Sequence, residues 1–104
     1  MTIPELSPSE VLEAVKGGAL FVDVREAYEL DEVAYDIPGL VHIPMGEVQV
    51  RIAEFPKNCE VIIGCRSGKR SMNVCQFLAM NGFSNVKNLS GGIIGWSEAK
   101  MPIK

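Results

Sequence analysis

The chain has 104 residues, 47% of them hydrophobic, and a formal net charge of -3 at pH 7. This length allows one domain, residues 1–104, and the composition excludes disorder and fibrous structure. No apolar run is long enough to cross a bilayer, and the first residues lack the basic start and apolar middle of a signal peptide. We therefore expect a cytoplasmic protein with no membrane partner.

The first part of the chain predicts one helix and one strand. Ser7 occupies the place of an N-cap, with Pro8 at the first helical position and Glu10 completing a capping box. The glycine pair 17–18 ends this helix. Residues 19–24 follow as an apolar, β-branched run, which predicts a strand buried on both faces.

The middle of the chain predicts short elements. The acidic stretch 26–33 indicates a short helix with a solvated charged face. Residues 41–43 indicate a short strand, and residues 46–55 another short helix that ends at Pro56. Residues 60–64 then predict a second buried strand.

The last part of the chain continues the alternation. The best helix is predicted over 71–81, closed by Gly82 in the C′ position. A strand over 86–89, a tight turn at 91–92 and a last helix over 93–99 follow. Strands that alternate with helices predict an α/β fold whose mostly parallel sheet is covered by helices on both faces.

The segment from Cys65 to Ser71 lies between a buried strand and the best helix. In an open parallel sheet, ligands bind outside the carboxyl ends of the strands. A short loop there turns successive backbone N–H groups inward, and the following helix adds its positive N-terminal end. The loop therefore predicts a cradle for one small anion. Its cations are Arg66, Lys69 and Arg70, a cluster too local for nucleic acid.

Three residues of this loop determine its predicted chemistry. Gly68 suits a positive φ inside the turn, and Ser71 is predicted to be the N-cap of the following helix. The surrounding cations, amides and helix end are expected to lower the pKa of the Cys65 thiol from about 8.5 and make it a nucleophile. The alternative is a small hydrophobic residue in the core, but apolar burial does not explain three cations within five residues.

The cysteines predict neither a disulfide framework nor a metal site. Cys59, Cys65 and Cys75 are odd in number and lack a C-x-x-C spacing. Zinc needs about four ligands at a recognisable spacing, and His42 is the only histidine in the sequence. We expect no metal and no other cofactor, and we interpret Cys75 as a core residue rather than as a resolving thiol for Cys65.

Three segments together carry a family resemblance. Residues 21–26 resemble the first strand and the Asp-x-Arg-Glu turn of the single-domain rhodaneses, which are thiosulfate sulfurtransferases. Residues 61–71 are similar to the active-site strand and loop of that family, and residues 82–96 to its closing signature. The resemblance covers nearly the whole chain. It implies the rhodanese-like fold, a five-stranded, mostly parallel sheet flanked by helices.

The resemblance also implies an activity. Cys65 would take the outer sulfur of thiosulfate, release sulfite and carry the sulfur as a persulfide until a thiol or cyanide acceptor removes it. The implied partners are a small anionic donor and an acceptor thiol on a small molecule or a protein. The residues implied in holding the donor are Arg66, Ser67, Gly68, Lys69, Arg70 and Ser71.

Other polar and aromatic residues are given structural roles. Asp23 and Arg25 end the first predicted strand, where they either reach the site or pin loops by a charged hydrogen bond, and we favour the second. His42 is expected to be structural, because sulfur transfer from a thiolate needs no base. Trp96 and the isoleucines 93–94 are expected in the core.

The sequence departs from the family pattern at Tyr35-Asp36, where members often carry Gly-His. This change concerns the wall beside the site and the choice of acceptor.

Three other functions are alternatives. A cysteine phosphatase uses Cys-x5-Arg, whereas the spacing from Cys65 to Arg70 is Cys-x4-Arg, a tighter loop. A non-catalytic binding or regulatory module often lacks the cysteine that this chain keeps, and a persulfide carrier for a partner protein is the third alternative.

Overall fold

The computed structural model describes residues 2–104, which are arranged around a five-stranded sheet. The strands are β1 (Glu5–Leu6), β2 (Leu20–Asp23), β3 (Val41–His42), β4 (Val61–Gly64) and β5 (Val86–Leu89). They lie in the order β1-β5-β4-β2-β3, and every neighbouring pair is parallel. The predicted α/β class with a mostly parallel, five-stranded sheet is confirmed.

The α-helices in the described part of the chain are α1 (Pro8–Lys16), α2 (Ala27–Glu32), α3 (Lys69–Met80) and α4 (Gly92–Glu98). Ser7 and Glu10 form the predicted capping box at the start of α1. Gly82 follows α3 with a φ of +91°, which confirms its predicted place after the helix end. Within residues 2–104 no helix is both long and apolar enough to span a membrane.

The predicted helix over 46–55 is wrong. Two short 3₁₀ turns, Met45–Glu47 and Ile52–Glu54, occupy this stretch. A glycine and three β-branched residues lower the helix propensity here. Packing of side chains such as Val48, which is buried against the sheet, determines the path of the segment instead.

Hydrophobic residues cover both faces of the sheet, because successive residues of a strand point to opposite sides. Phe21 of β2 belongs to a cluster with Val11 of α1 and Trp96 of α4. The next residue, Val22, belongs to the cluster on the opposite face, with Leu78 of α3. The helices therefore lie on both faces, as predicted.

The core prediction for the isoleucines of α4 is half wrong. Ile93 is buried, but Ile94 is 45% exposed. Successive side chains on a helix point about 100° apart, so the two cannot both face the sheet. Trp96 is fully buried, as expected.

Strand β1 was not identified from local pattern. It is two residues long, with Glu5 in register with Asn88 and Leu6 with Leu89. Two residues are too few to show the alternation of a strand. This edge position brings the Glu5 carboxylate to the Asn88 side chain, which also contacts the loop after β4.

A substitution at Gly64, the last residue of β4, tests how closely this strand approaches the Phe21 side chain of β2. A Cβ at this position would overlap the ring of Phe21. We expect Gly64→Ala to destabilise the fold by about 1–3 kcal/mol, with Tm falling by about 4–8 °C per kcal/mol. Thermal unfolding followed by circular dichroism measures this change. Gly46→Ala is the matched control, because a Cβ there meets nothing within 4 Å. Equal Tm values for the two variants would contradict the packing argument.

Candidate active site

Cys65 follows β4 in the loop that leads into α3. Gly68 caps α3 with a φ of +104°, the left-handed conformation predicted for it. The prediction that Ser71 is the N-cap is wrong, because α3 begins at Lys69 and Ser71 lies in its first turn. Because α3 begins two residues earlier than predicted, the Ser71 hydroxyl does not cap the helix. It contacts the sulfur of Cys65 instead.

The sulfur of Cys65 accepts two hydrogen bonds. The N–H of Gly68 donates to Sγ across 3.1 Å, and the hydroxyl of Ser71 donates across 3.2 Å. Cys65 is only 1% exposed, so little water competes with these donors. Dipoles that converge on one atom at a helix N-terminus form an anion-binding concavity.

Opposing effects set the pKa of the Cys65 thiol. Burial raises the pKa, because the charged thiolate loses solvent. The hydroxyl of Ser71 and the N–H groups of Ser71, Gly68 and Ser67 lower the pKa and outweigh the burial. The pKa therefore lies below its ordinary value, which favours the nucleophilic thiolate.

The carbonyl of Cys65 accepts hydrogen bonds from two donors that lie outside the loop. The Tyr35 hydroxyl donates to this oxygen at 2.6 Å, and the N–H of Ile93 donates at 2.9 Å. The carbonyl of Arg66 accepts the N–H of Ile94 at 3.2 Å. Because these carbonyls are bound by Tyr35 and α4, the N–H groups of the loop remain available to the sulfur.

The contact between α4 and the loop depends on Gly92. Its φ is +57°, and a Cβ at this position would overlap the backbone of Arg66 and Ser67. Gly91, which caps α4, also has a positive φ of +80°. Only glycine combines this conformation with so close an approach. The predicted turn at 91–92 therefore also places the start of α4 against the loop.

Asn88 links the loop to the edge of the sheet. It is fully buried in β5, and its side-chain amide donates to the Gly68 carbonyl at 3.2 Å. The same amide donates to the Glu5 carboxylate at 3.0 Å. Asn88 therefore binds the carbonyl of Gly68, while the N–H of Gly68 donates to the sulfur of Cys65.

Tyr35 forms a wall beside the loop. Its ring is 1% exposed and packs against Phe21 and Trp96, with ring centroids 4.8 and 5.6 Å apart. Burial raises the pKa of the Tyr35 hydroxyl, so that it stays a neutral donor to the Cys65 carbonyl. The departure from the family pattern thus adds a side chain that supports the loop directly.

Asp23 and Arg25 form a buried ion pair at the end of β2. The Arg25 guanidinium donates to the Asp23 carboxylate at 2.9 Å and to the Val33 carbonyl at 3.1 Å. His42 Nε2 lies 2.6 Å from the Arg25 carbonyl. Among residues 2–104, no hydrogen bond joins these side chains to the Cys65 sulfur. Their contacts connect the end of β2 with β3 and with the end of α2, which is a structural role.

The three loop cations have different surroundings. Arg70 donates two hydrogen bonds of 2.8 Å to the Glu29 carboxylate of α2. These bonds lower the pKa of Glu29 to about 2. Arg66 and Lys69 are exposed, and neither forms an ion pair with another described residue.

The remaining cysteines lie outside this arrangement. Cys75 is fully buried in α3, as expected, and burial raises the pKa of its thiol to about 12. A thiol with so high a pKa is a poor nucleophile at neutral pH. Cys59 is half-buried just before β4.

The contacts of Glu29, Asn88 and the Tyr35 hydroxyl with the loop were not predicted from the sequence. Asn88 alternates with Lys87 and so shares a strand face with the apolar Val86, which was a signal for Asn88. The departure from the family pattern was a signal for Tyr35. Glu29 had no such signal, because it lies in an acidic stretch typical of a solvated helix face.

Comparisons with known proteins agree with this architecture. The family model described as the rhodanese-like domain matches residues 7–99. A sulfurtransferase of Allochromatium vinosum is 40% identical over 84 residues, covering 81% of this chain and 77% of that protein. The thiosulfate sulfurtransferase GlpE of Haemophilus influenzae is 31% identical over 107 residues, covering 99% and 96%. A solved rhodanese-related protein of Thermoplasma volcanium superposes with a TM-score of 0.87 at 26% identity, covering 97% of each chain.

The Ser71 hydroxyl offers a direct test of the thiolate argument. In Ser71→Ala we expect the pKa of Cys65 to rise and alkylation of Cys65 by iodoacetamide at neutral pH to slow about tenfold, because a hydrogen bond to the charged sulfur is lost. Mass spectrometry of the Cys65 peptide across a pH series measures both. Ser67→Ala is the control, since it keeps the N–H of residue 67 and, in the described chain, that hydroxyl does not bind Sγ. An equal pH profile in both variants would contradict the role given to Ser71.

Proposed function

The chain belongs to the rhodanese-like domain family, and from that premise we propose that it is a thiosulfate sulfurtransferase without a cofactor. The outer sulfur of thiosulfate, or of a related persulfide donor, passes through a persulfide on Cys65 to a thiol or cyanide acceptor. The observation that carries the proposal is the buried Cys65 sulfur with the Gly68 N–H and the Ser71 hydroxyl bound to it.

In the first half-reaction, the Cys65 thiolate attacks the outer sulfur of thiosulfate. The bond between the two thiosulfate sulfurs breaks, and sulfite leaves with the bonding electron pair. Cys65 is left as a persulfide, with the negative charge on its outer sulfur. No general base is needed, because the lowered pKa already favours the thiolate.

In the second half-reaction, an acceptor thiolate attacks the outer sulfur of the persulfide. The acceptor leaves as a new persulfide, and the bonding pair returns to Cys65 as thiolate. The amides and cations of residues 66–71 are the groups proposed to hold the anionic donor and then the persulfide. This order of events is a ping-pong scheme.

The comparisons support this proposal at two levels. The relative from Allochromatium vinosum is named a sulfurtransferase, and the match covers 77% of its length, which supports sulfur transfer in general. The name of the Haemophilus influenzae relative supports thiosulfate as the donor, at the lower identity of 31%. A phosphatase fits the site less well, because the spacing from Cys65 to Arg70 is Cys-x4-Arg, one residue shorter than the Cys-x5-Arg loop that such an enzyme closes around phosphate.

Intact mass spectrometry tests the first half-reaction without knowledge of the acceptor. Reduced protein incubated with thiosulfate is expected to gain one sulfur atom, and Cys65→Ser is expected to gain none while keeping its fold. Cys59→Ser is the matched control and should gain sulfur as the wild type does, because Cys59 lies outside the loop. A wild type that gains nothing, or a Cys65→Ser protein that gains sulfur, would contradict the proposal.

Arg70 is expected to act on donor binding. In Arg70→Ala the loop loses a cation, and the Glu29 carboxylate is left without its partner beside the anion site. We expect the KM for thiosulfate to rise by about fivefold or more, with a smaller change in kcat. Steady-state kinetics measure both constants. Arg51→Ala removes an arginine of similar exposure whose partners lie on the 3₁₀ turns, and its KM should not change. An unchanged KM in Arg70→Ala would count against this role.

A further inference from the structure

The Glu29 carboxylate takes no part in the proposed sulfur transfer, yet it lies at the anion-binding loop. Its two oxygens accept hydrogen bonds of 2.8 Å from the two terminal nitrogens of Arg70. One of these oxygens also accepts the N–H of Glu26 at 2.8 Å, at the start of α2. The Glu29 side chain is 13% exposed and that of Arg70 is 34% exposed. Two-bond pairs of this kind are geometrically well defined.

This pair changes the charge of the site. Arg66, Lys69 and Arg70 bring three positive charges to the loop, and Glu29 cancels that of Arg70. Arg66 and Lys69 have no acidic partner within residues 2–104. The field at the sulfur is therefore weaker than the loop sequence alone implies.

Sulfur donors differ in how much they need this field. Thiosulfate is a dianion, so its attack by the Cys65 thiolate brings three negative charges together. A protonated persulfide, R–S–SH, brings only the charge of the thiolate. In that reaction the thiolate bonds to the outer sulfur, the S–S bond of the donor breaks, and R–S⁻ leaves with the electron pair while the proton stays on the outer sulfur.

We propose that Glu29 is a specificity-determining residue that weakens the preference of the site for dianions and matches it to persulfide donors of low charge. The choice of donor rests on the proposed sulfur transfer. The electrostatic part of the proposal rests only on the contact between Glu29 and Arg70 and can be tested separately.

Two alkylating reagents of similar size isolate the electrostatic part. Iodoacetate carries a negative charge and iodoacetamide carries none, and both react with the same Cys65 thiolate. The ratio of their rates at Cys65, followed by mass spectrometry of that peptide, cancels any change in the thiolate fraction. Glu29→Gln removes the charge but keeps an oxygen acceptor for the N–H of Glu26.

In Glu29→Gln at low salt we expect the iodoacetate-to-iodoacetamide ratio to rise about fivefold. The rise is expected to shrink at high salt, because exposed charges are screened. Glu54→Gln is the matched control, since it removes a carboxylate from an exposed ion pair with Arg51. A ratio that stays at the wild-type value in Glu29→Gln, or that rises equally in Glu54→Gln, overturns the proposal.

The donor part is tested by comparing kcat/KM for thiosulfate with kcat/KM for 2-hydroxyethyl hydropersulfide, whose organic part is uncharged. We expect Glu29→Gln to raise the thiosulfate value relative to the persulfide value by about fivefold. An unchanged ratio between the two donors overturns the assignment of donor class. If neither donor loads sulfur onto the wild type, the proposed function fails, whereas the alkylation ratio still decides the role of Glu29.

Discussion

The orientation of one peptide group, that of Cys65, governs this site. Its carbonyl accepts hydrogen bonds from the Tyr35 hydroxyl and the Ile93 N–H, which fix the orientation of this peptide group. A carbonyl turned toward the sulfur would place a negative dipole against the thiolate. The position of Tyr35 depends on its packing with Phe21 and Trp96. The hydrophobic core on one face of the sheet therefore supports the reactive loop at the carboxyl end of β4.

The electrostatics of the site come mainly from dipoles at short range. Burial works against the thiolate, but N–H groups and the Ser71 hydroxyl more than offset it. No charged side chain of residues 2–104 donates a hydrogen bond to the sulfur, and one of the loop cations, Arg70, is bound to Glu29. Dipoles fixed by the backbone need no reorganisation during the reaction, and they act in a place that water scarcely reaches. Such a site can stabilise a charge on sulfur without a large net positive charge.

Much of the fold follows from local patterns. Buried strands show as apolar β-branched runs, and the capping box at Ser7 and Glu10 marks a helix start within four residues. The loop from Cys65 to Ser71 stands out because its cysteine, glycine and cations lie together in the sequence. Local pattern fails where local signals are weak, as in the 3₁₀ turns of 46–55 and in the two-residue β1.

The sequence by itself determined the α/β class, Cys65 as the candidate nucleophile and the glycine of the Cys65 loop. Each of these follows from patterns among residues that are close together in the sequence. Only the tertiary structure decided which distant groups meet there. Glu29 lies 41 positions from Arg70, and Tyr35 lies 30 positions from Cys65. These contacts depend on how strands align and how helices pack across the sheet. Periodicity along the chain indicates which face of a strand or helix is buried, but it does not indicate which distant residues meet there. The charge and the support of the site therefore become visible only in the fold.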